Sequence, residues 1–214
     1  MAQPGSYKTL RARGSEEFII NKSRFIGYGA PCETEEEALS FLREIREKHK
    51  DATHNCYAYI IGLNAGIMRY SDDGEPGGTA GLPIIEVMKS RGVVNCAVVV
   101  PRYFGGILLG AGGLVRAYAQ GSKAALNAAG VVVMEKSARH LVEVDYSTWQ
   151  RLEYFLRSAP VIIEHTEFGA SVVCTLIMRS RDEEALLAEI TRVTDARAET
   201  LPDGELYYPW PDEG

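Results

Sequence analysis

The stretch VVNCAVVV (93–100) constrains this chain most. A nearly continuous apolar run of that length predicts a strand buried on both faces rather than an alternating half-exposed one. Such a strand needs other elements to cover it on either side. A chain of 214 residues, 46% of them hydrophobic, has the length and the apolar material for that, and for a second domain as well. No apolar run approaches the ~18 residues needed to span a bilayer, so no membrane partner is expected.

The surrounding sequence supplies the covering elements. EFIINKSRFIGYGAPC (17–32) reads as two strands around a polar Asn21-Lys22-Ser23-Arg24 turn. TEEEALSFLREIREKHK follows, with Thr34 and Glu37 as a capping box and Ala38, Phe41, Leu42 and Ile45 at helical spacing. HNCYAYIIG (54–62) alternates, with Cys56, Ala58 and Ile60 on one face and Asn55, Tyr57 and Tyr59 on the other. IMRYS (67–71) is its expected antiparallel partner. SDDGEPGGTAG is turn chemistry throughout. Thr79 is placed to cap a helix through LPIIEVMKSR, which Gly92 closes. After the apolar run and a glycine loop, a helix is expected from about Gly112 to Ala129.

The pattern restarts near Lys136. A strand (HLVEVDY), a helix capped by Ser147 and Gln150, a hairpin turning at Gly169, a helix capped by Ser180 and Glu183, and a final strand (ELYYPW) give the order βαββαβ. That is the ferredoxin-like arrangement. The expected fold class is therefore α+β, in two domains, 1–136 and 137–214. Residues 1–15 read as a flexible arm without the apolar segment of a secretory signal. The four cysteines form no CxxC pair and sit in apolar contexts, which suits reduced thiols in a cytoplasmic protein.

Net charge is −6, which argues against an indiscriminate nucleic-acid binder. Its distribution is uneven. Residues 1–136 carry 16 Lys/Arg against 14 Asp/Glu, and residues 137–214 carry 7 against 15. Six of the first group's acids fall within residues 33–47, so the rest of that domain is basic.

The glycine loop RYFGGILLGAGGLVRAY (102–118) invites comparison with phosphate-binding loops. Gly105 and Gly110 have Walker A spacing, but Ala111 stands where the lysine should be. Gly110 and Gly112 begin a dinucleotide fingerprint, but Val115 occupies the third glycine position. Neither an ATP-type nor an NAD-type site is expected, and no cofactor is implied. A looser anion site remains open, because a strand, a glycine loop and a helix N-terminus direct free N–H groups outward. Its candidate residues are Lys22, Arg24, Arg102, Gly105, Gly106, Gly110, Gly112, Gly113 and Arg116. The same glycines equally suit close backbone packing.

Asp72, Asp73 and Glu75, with His54, are the candidates for acid–base chemistry, against a plain reading of SDDGEPGG as a carboxylate-stabilised turn. The four histidines show no metal-ligand spacing, and no metal site is expected. Cys56 beside His54 reads as a buried thiol. Tyr57, Tyr59 and Tyr70 could stack on nucleobases but read better as core.

In order along the chain, KSRF, THNCYAY, SDDGEPGGTAG and RYFGGILLGAGGLVRAY resemble the motifs of the IMPACT family, in particular its bacterial YigZ branch. The resemblance implies a first domain similar to the second domain of ribosomal protein S5. It implies a ferredoxin-like second domain similar to the last domain of elongation factor G. It also implies a link to translation control; together with the uneven charge, this makes a non-enzymatic RNA- or ribosome-associated regulator the leading expectation, with RNA, the ribosome or a translation-related protein as partner. Two positions depart from the family's pattern: Leu108 stands for a loop lysine, and Pro101 for a threonine. The lost lysine removes one phosphate contact. A hydrolase built on Asp72–Glu75 and His54, and a protein–protein adaptor acting through the acidic second domain, are the alternatives.

Overall fold

In the computed structural model, which describes residues 5–210, the apolar run becomes the middle of a five-stranded antiparallel sheet. The first part of the chain forms β1 (Ser6–Leu10), β2 (Gly14–Ile20), β3 (Ser23–Pro31), α1 (Glu35–Lys48), β4 (His54–Ile61), β5 (Ile67–Ser71), α2 (Gly81–Arg91), β6 (Cys96–Tyr103) and α3 (Gly110–Ala129). The sheet order is β2-β3-β6-β4-β5. β6 lies between β3 (Tyr28↔Val99) and β4 (Cys56↔Val100).

Alternate residues of β6 enter two separate cores, which explains the apolar run. Cys96, Val98 and Val100 pack with Cys56, Ala58 and Ile60 against α2 and α3. Ala97 and Val99 pack with Tyr59 against Ala38, Phe41, Leu42 and Ile45 of α1. α1 begins as expected, with the Thr34 hydroxyl accepting from the Glu37 N–H. Tyr59 lies under that helix and donates to Glu35 at 2.6 Å; burial, then the Glu35 carboxylate, pushes its hydroxyl up to about 12. Tyr70 pairs with Ala58 rather than with a tyrosine of β4, so it falls on the opposite face from Tyr57 and Tyr59.

Several expectations at element ends are corrected. The expected arm contains β1, whose Lys8 bridges Val93 and whose Thr9 hydroxyl donates to the Asn95 carbonyl. Residues 1–4 of that arm lie outside the described residues. Thr79 does not cap α2, since its hydroxyl turns back to the Pro76 carbonyl. α3 begins at Gly110, two residues early, so its unpaired first-turn donors are those of Gly110, Ala111 and Gly112 rather than Gly112 and Gly113.

The chain divides into two units: one runs to Val133 and includes the residues from Pro209, and the other is Met134–Tyr208. Beyond α3 come β7 (Val131–Val144), α4 (Tyr146–Leu156), β8 (Val161–Phe168), β9 (Val172–Arg179), α5 (Glu183–Val193) and β10 (Glu199–Trp210). β9 pairs antiparallel with both β7 and β8, and β10 pairs with β7. The apolar faces of α4 (Leu152, Leu156) and α5 (Leu186, Ile190) cover Val142, Cys174 and Leu176. Lys136 lies within β7, not at an element boundary. The cap of α4 is Asp145, which accepts from the Thr148 N–H, and Asp182 stands at the N-cap position of α5 without a side-chain capping bond. Glu183 does not cap α5; it accepts a 2.8 Å contact from His140.

Candidate functional site

The residues singled out around the glycine loop gather at one end of the first unit's sheet, in three distinct roles. The first is structural. One Asp72 oxygen accepts from the N–H groups of Ala80 and Gly81 (3.0 and 2.8 Å), and the other from Gly78 (2.8 Å). Asp72 is thus the remote cap of α2. Burial alone would raise its carboxyl, but these three hydrogen bonds outweigh it and hold the group below its ordinary value. Asp73 accepts from the Asn55 N–H at 2.6 Å and pairs with Arg46 at 3.3 Å. Both aspartates therefore hold the 72–81 turn together.

The second role is a buried polar cluster. Arg102, on β6, and Glu75 form an ion pair at 2.7 Å, with side chains 6% and 3% exposed. The Tyr118 hydroxyl donates to the same Glu75 oxygen at 2.7 Å. The Arg102 guanidinium lies against the rings of Phe25 and Phe104, each centred 5.5 Å away. Its charge is spent on Glu75. His54 lines the same place: its Nδ1 lies 2.8 Å from the Asp73 carbonyl, and its Nε2 3.9 Å from Glu75 Oε2. A carbonyl can only accept, so Nδ1 carries a proton, and in the neutral imidazole Nε2 is the acceptor. Cys56 donates to the Asp72 carbonyl at 3.0 Å, and burial pushes its thiol well up, away from the thiolate form. Burial likewise pushes the Tyr118 hydroxyl far up.

Above this cluster opens a cleft of about 370 Å³, walled by Pro76, Phe104, Leu108, Leu109 and Leu114, with Thr53, His54, Glu75 and Arg102 at its polar side. Gly110 and Ala111, at the N-terminus of α3, complete the rim.

The third role is an exposed basic surface next to the cleft. Asn21 and Lys22 both take positive φ (47° and 65°), giving the two-residue turn between β2 and β3. Gly105 is seated on that turn: a Cβ there would lie 2.1 Å from the Lys22 carbonyl group. Gly106 has φ of 81° with open space around it, so its requirement is conformational. Gly110 (φ 70°) is likewise open, and Gly112 and Gly113 are the third and fourth residues of α3. Arg116 lies one turn on, beside Gly112. Lys22 and Arg116 are exposed and make no ion pair among the described residues. Arg24 pairs with Glu17 at 3.0 Å and covers the Tyr103 ring.

The structure thus seats Gly105 against Lys22 and sets Gly112 beside Arg116, with His54 and Glu75 in the cleft whose rim includes Gly110. It sets Arg102 apart as the buried partner of Glu75. Sequence reasoning missed Tyr118 and the capping role of Asp72. Tyr118 falls on the apolar face of α3 with Leu114 and Ala117, where a tyrosine hydroxyl needs a buried acceptor. That was the available signal. Among the described residues, no three His, Cys, Asp or Glu groups gather as a metal site would. No described helix is long and apolar enough to cross a membrane.

An antiparallel α+β unit with a glycine loop beside a polar-floored cleft, followed by a smaller antiparallel α+β unit, is the class of protein that these features define. The Impact N-terminal domain matches residues 21–126, and a domain of unknown function (DUF1949) matches residues 142–197. IMPACT family member YvyE of Bacillus subtilis (strain 168) is 38% identical over 95% of this chain and 93% of its own length. IMPACT family member YigZ of Escherichia coli (strain K12) is 34% identical over 81% of this chain and 87% of its own. Protein IMPACT of Mus musculus is 37% identical over 42% of this chain and 29% of its own. A crystal structure of a hypothetical protein superposes with a TM-score of 0.60 at 30% identity, over 92% of this chain and 97% of that one. The chain belongs to the IMPACT family.

Proposed function

We propose that this protein is a translation-associated regulator that contacts RNA, free or on the ribosome, through the glycine-loop surface of its first unit, and that it does so without catalysis. The observation that carries the reading is the seating of Gly105 on the Lys22 turn. It fixes a free lysine beside the open backbone of Gly106, in the loop that leads into the N-terminus of α3, which carries Gly110, Gly112 and the exposed Arg116. Backbone N–H groups at a helix start and two unpaired cations suit phosphate oxygens. The basic excess of the first domain outside residues 33–47 supports a polyanionic partner. In the same reading, the first unit is similar to the second domain of ribosomal protein S5. The second, ferredoxin-like unit is similar to the last domain of elongation factor G, and the protein is cytoplasmic. Crosslinking in cells, followed by identification of bound RNA and protein, tests the reading. Recovery of ribosomal or messenger RNA with translation components supports it. Recovery of no RNA above a background control overturns it.

One observation favours an acid–base reading: His54 Nε2 and Glu75 Oε2 face the same cleft 3.9 Å apart. With Asp72 and Asp73 occupied by the turn, only these two of the four candidate groups remain for chemistry.

A further inference from the structure

The cleft beside the basic surface has a polar floor of unusual composition. Glu75 is almost wholly buried, yet one of its two oxygens, Oε2, makes no hydrogen bond among the described residues, because Arg102 and Tyr118 both bind Oε1. In the neutral imidazole His54 Nε2 is a second acceptor, because the contact to the Asp73 carbonyl holds the proton on Nδ1. The two acceptors stand 3.9 Å apart. A single nitrogen placed about 2.9 Å from both would see them about 85° apart, within reach of two diverging N–H bonds. The floor therefore fits an NH₂ group and repels a carbonyl oxygen in the same place.

The walls state the rest of the ligand. Phe104, 46% exposed, offers one ring face to the Arg102 guanidinium, and Leu108, Leu109 and Leu114 form an apolar slot. At the rim lie the unpaired first-turn N–H groups of α3, with Arg116 and Lys22 beyond. A flat ring carrying an exocyclic amine, joined to a phosphate, satisfies floor, walls and rim together. Glu75 and Arg102 cancel, so the slot holds no net charge that would favour an ammonium ion over a neutral amine. The volume of about 370 Å³ falls within the range of small-molecule sites.

We propose that the cleft takes one unstacked nucleotide of single-stranded RNA whose base bears an exocyclic amino group, adenine, cytosine or guanine but not uracil, with that amine shared between His54 Nε2 and Glu75 Oε2. The proposal rests on the RNA reading above and adds base selection to it. Phe104 supplies the stacking face, and the α3 N-terminus and Arg116 take the flanking phosphate.

Cytosine and uracil have the same size and differ here by amine against carbonyl, so they isolate the floor. Filter binding of the full chain to oligo(rC) and oligo(rU) of equal length at one low salt concentration should show about a tenfold preference for oligo(rC). An oligomer of N4,N4-dimethylcytidine removes both donors without altering the protein and should bind as oligo(rU) does. His54→Phe should bind oligo(rC) and oligo(rU) equally. Phe104→Ala, at an exposed position, should weaken both by about tenfold. Equal wild-type binding of oligo(rC) and oligo(rU), or full binding of the dimethylated oligomer, overturns the base selection and leaves the RNA reading standing. Binding of neither oligomer overturns both.

Discussion

Removing Arg102 should be far more costly than removing any exposed cation of this surface. In Arg102→Met, Glu75 remains buried with a charge and keeps only the Tyr118 hydroxyl as donor. Breaking a buried ion pair from one side costs about 3–5 kcal/mol, because the stranded charge has lost both its solvent and its partner. The phenyl faces of Phe25 and Phe104, which accept the flat guanidinium, pack against a methionine chain without a void, so little of the loss should come from cavity formation. Urea slopes of ~1–3 kcal/mol per molar place the expected fall in midpoint at 1 M or more, roughly. The double variant Arg102→Met with Glu75→Gln removes the stranded charge and keeps an acceptor for Tyr118. It should recover more than half of the loss, so the two substitutions are strongly non-additive. Urea unfolding of the full chain, followed by far-UV circular dichroism, measures both. An Arg102→Met midpoint within experimental error of wild type, or a double variant as destabilised as the sum of the singles, would refute the assignment of Arg102 to the core.

The remaining predictions concern the turn, the loop and the second unit. Asp72→Ala should destabilise by about 1–2 kcal/mol through loss of the α2 cap. Because the folded-state carboxyl of Asp72 sits below its unfolded value, its stabilisation is complete above the ordinary carboxylate range and disappears as pH falls through the folded value. Urea midpoints across an acid pH series should therefore fall less steeply in Asp72→Asn than in wild type. Gly105→Ala should lower the melting temperature markedly, since its Cβ would overlap the Lys22 backbone; Gly106→Ala, in open space, should show only the ~1 kcal/mol of left-handed strain. A fragment of residues 131–210, which holds all of β7 and β10, should unfold cooperatively by itself, and a featureless melt would contradict an independent second domain.

What the sequence revealed followed from patterns that depend on local periodicity. The run at 93–100 implied a doubly covered strand, and the alternation in 54–62 assigned Cys56, Ala58 and Ile60 to one core and Tyr59 to the other. Two failures share a cause: a side chain reaching beyond its own turn. Thr79 looked like a cap because capping rules are local, whereas Asp72 caps α2 from eight residues upstream. Arg102 looked like a phosphate ligand because it flanks the glycines. Only the register of β6 against β4, with Arg102 opposite His54, shows that it points at Glu75. Gly105 and Gly106 are adjacent and look equivalent in sequence. One is fixed by contact with a hairpin tip 82 residues away, and the other by its own φ. The arm at 1–15 was misread because Ser6–Leu10 carries only two fully buried residues, Thr9 and Leu10, and so lacks a clear apolar period.

The central claim is that the glycine-loop surface binds RNA phosphate through Lys22 and Arg116. Its most direct test is the salt dependence of single-stranded RNA binding by wild type, Lys22→Ala and Arg116→Ala, measured by filter binding at several salt concentrations with melting curves alongside. Each variant should bind more weakly to every sequence, with unchanged melting and a log–log slope flatter by ~0.7 per lost phosphate contact. No RNA retained at low salt by the wild-type protein, or wild-type slopes in both variants, would contradict the account and leave the glycines with packing and backbone conformation alone.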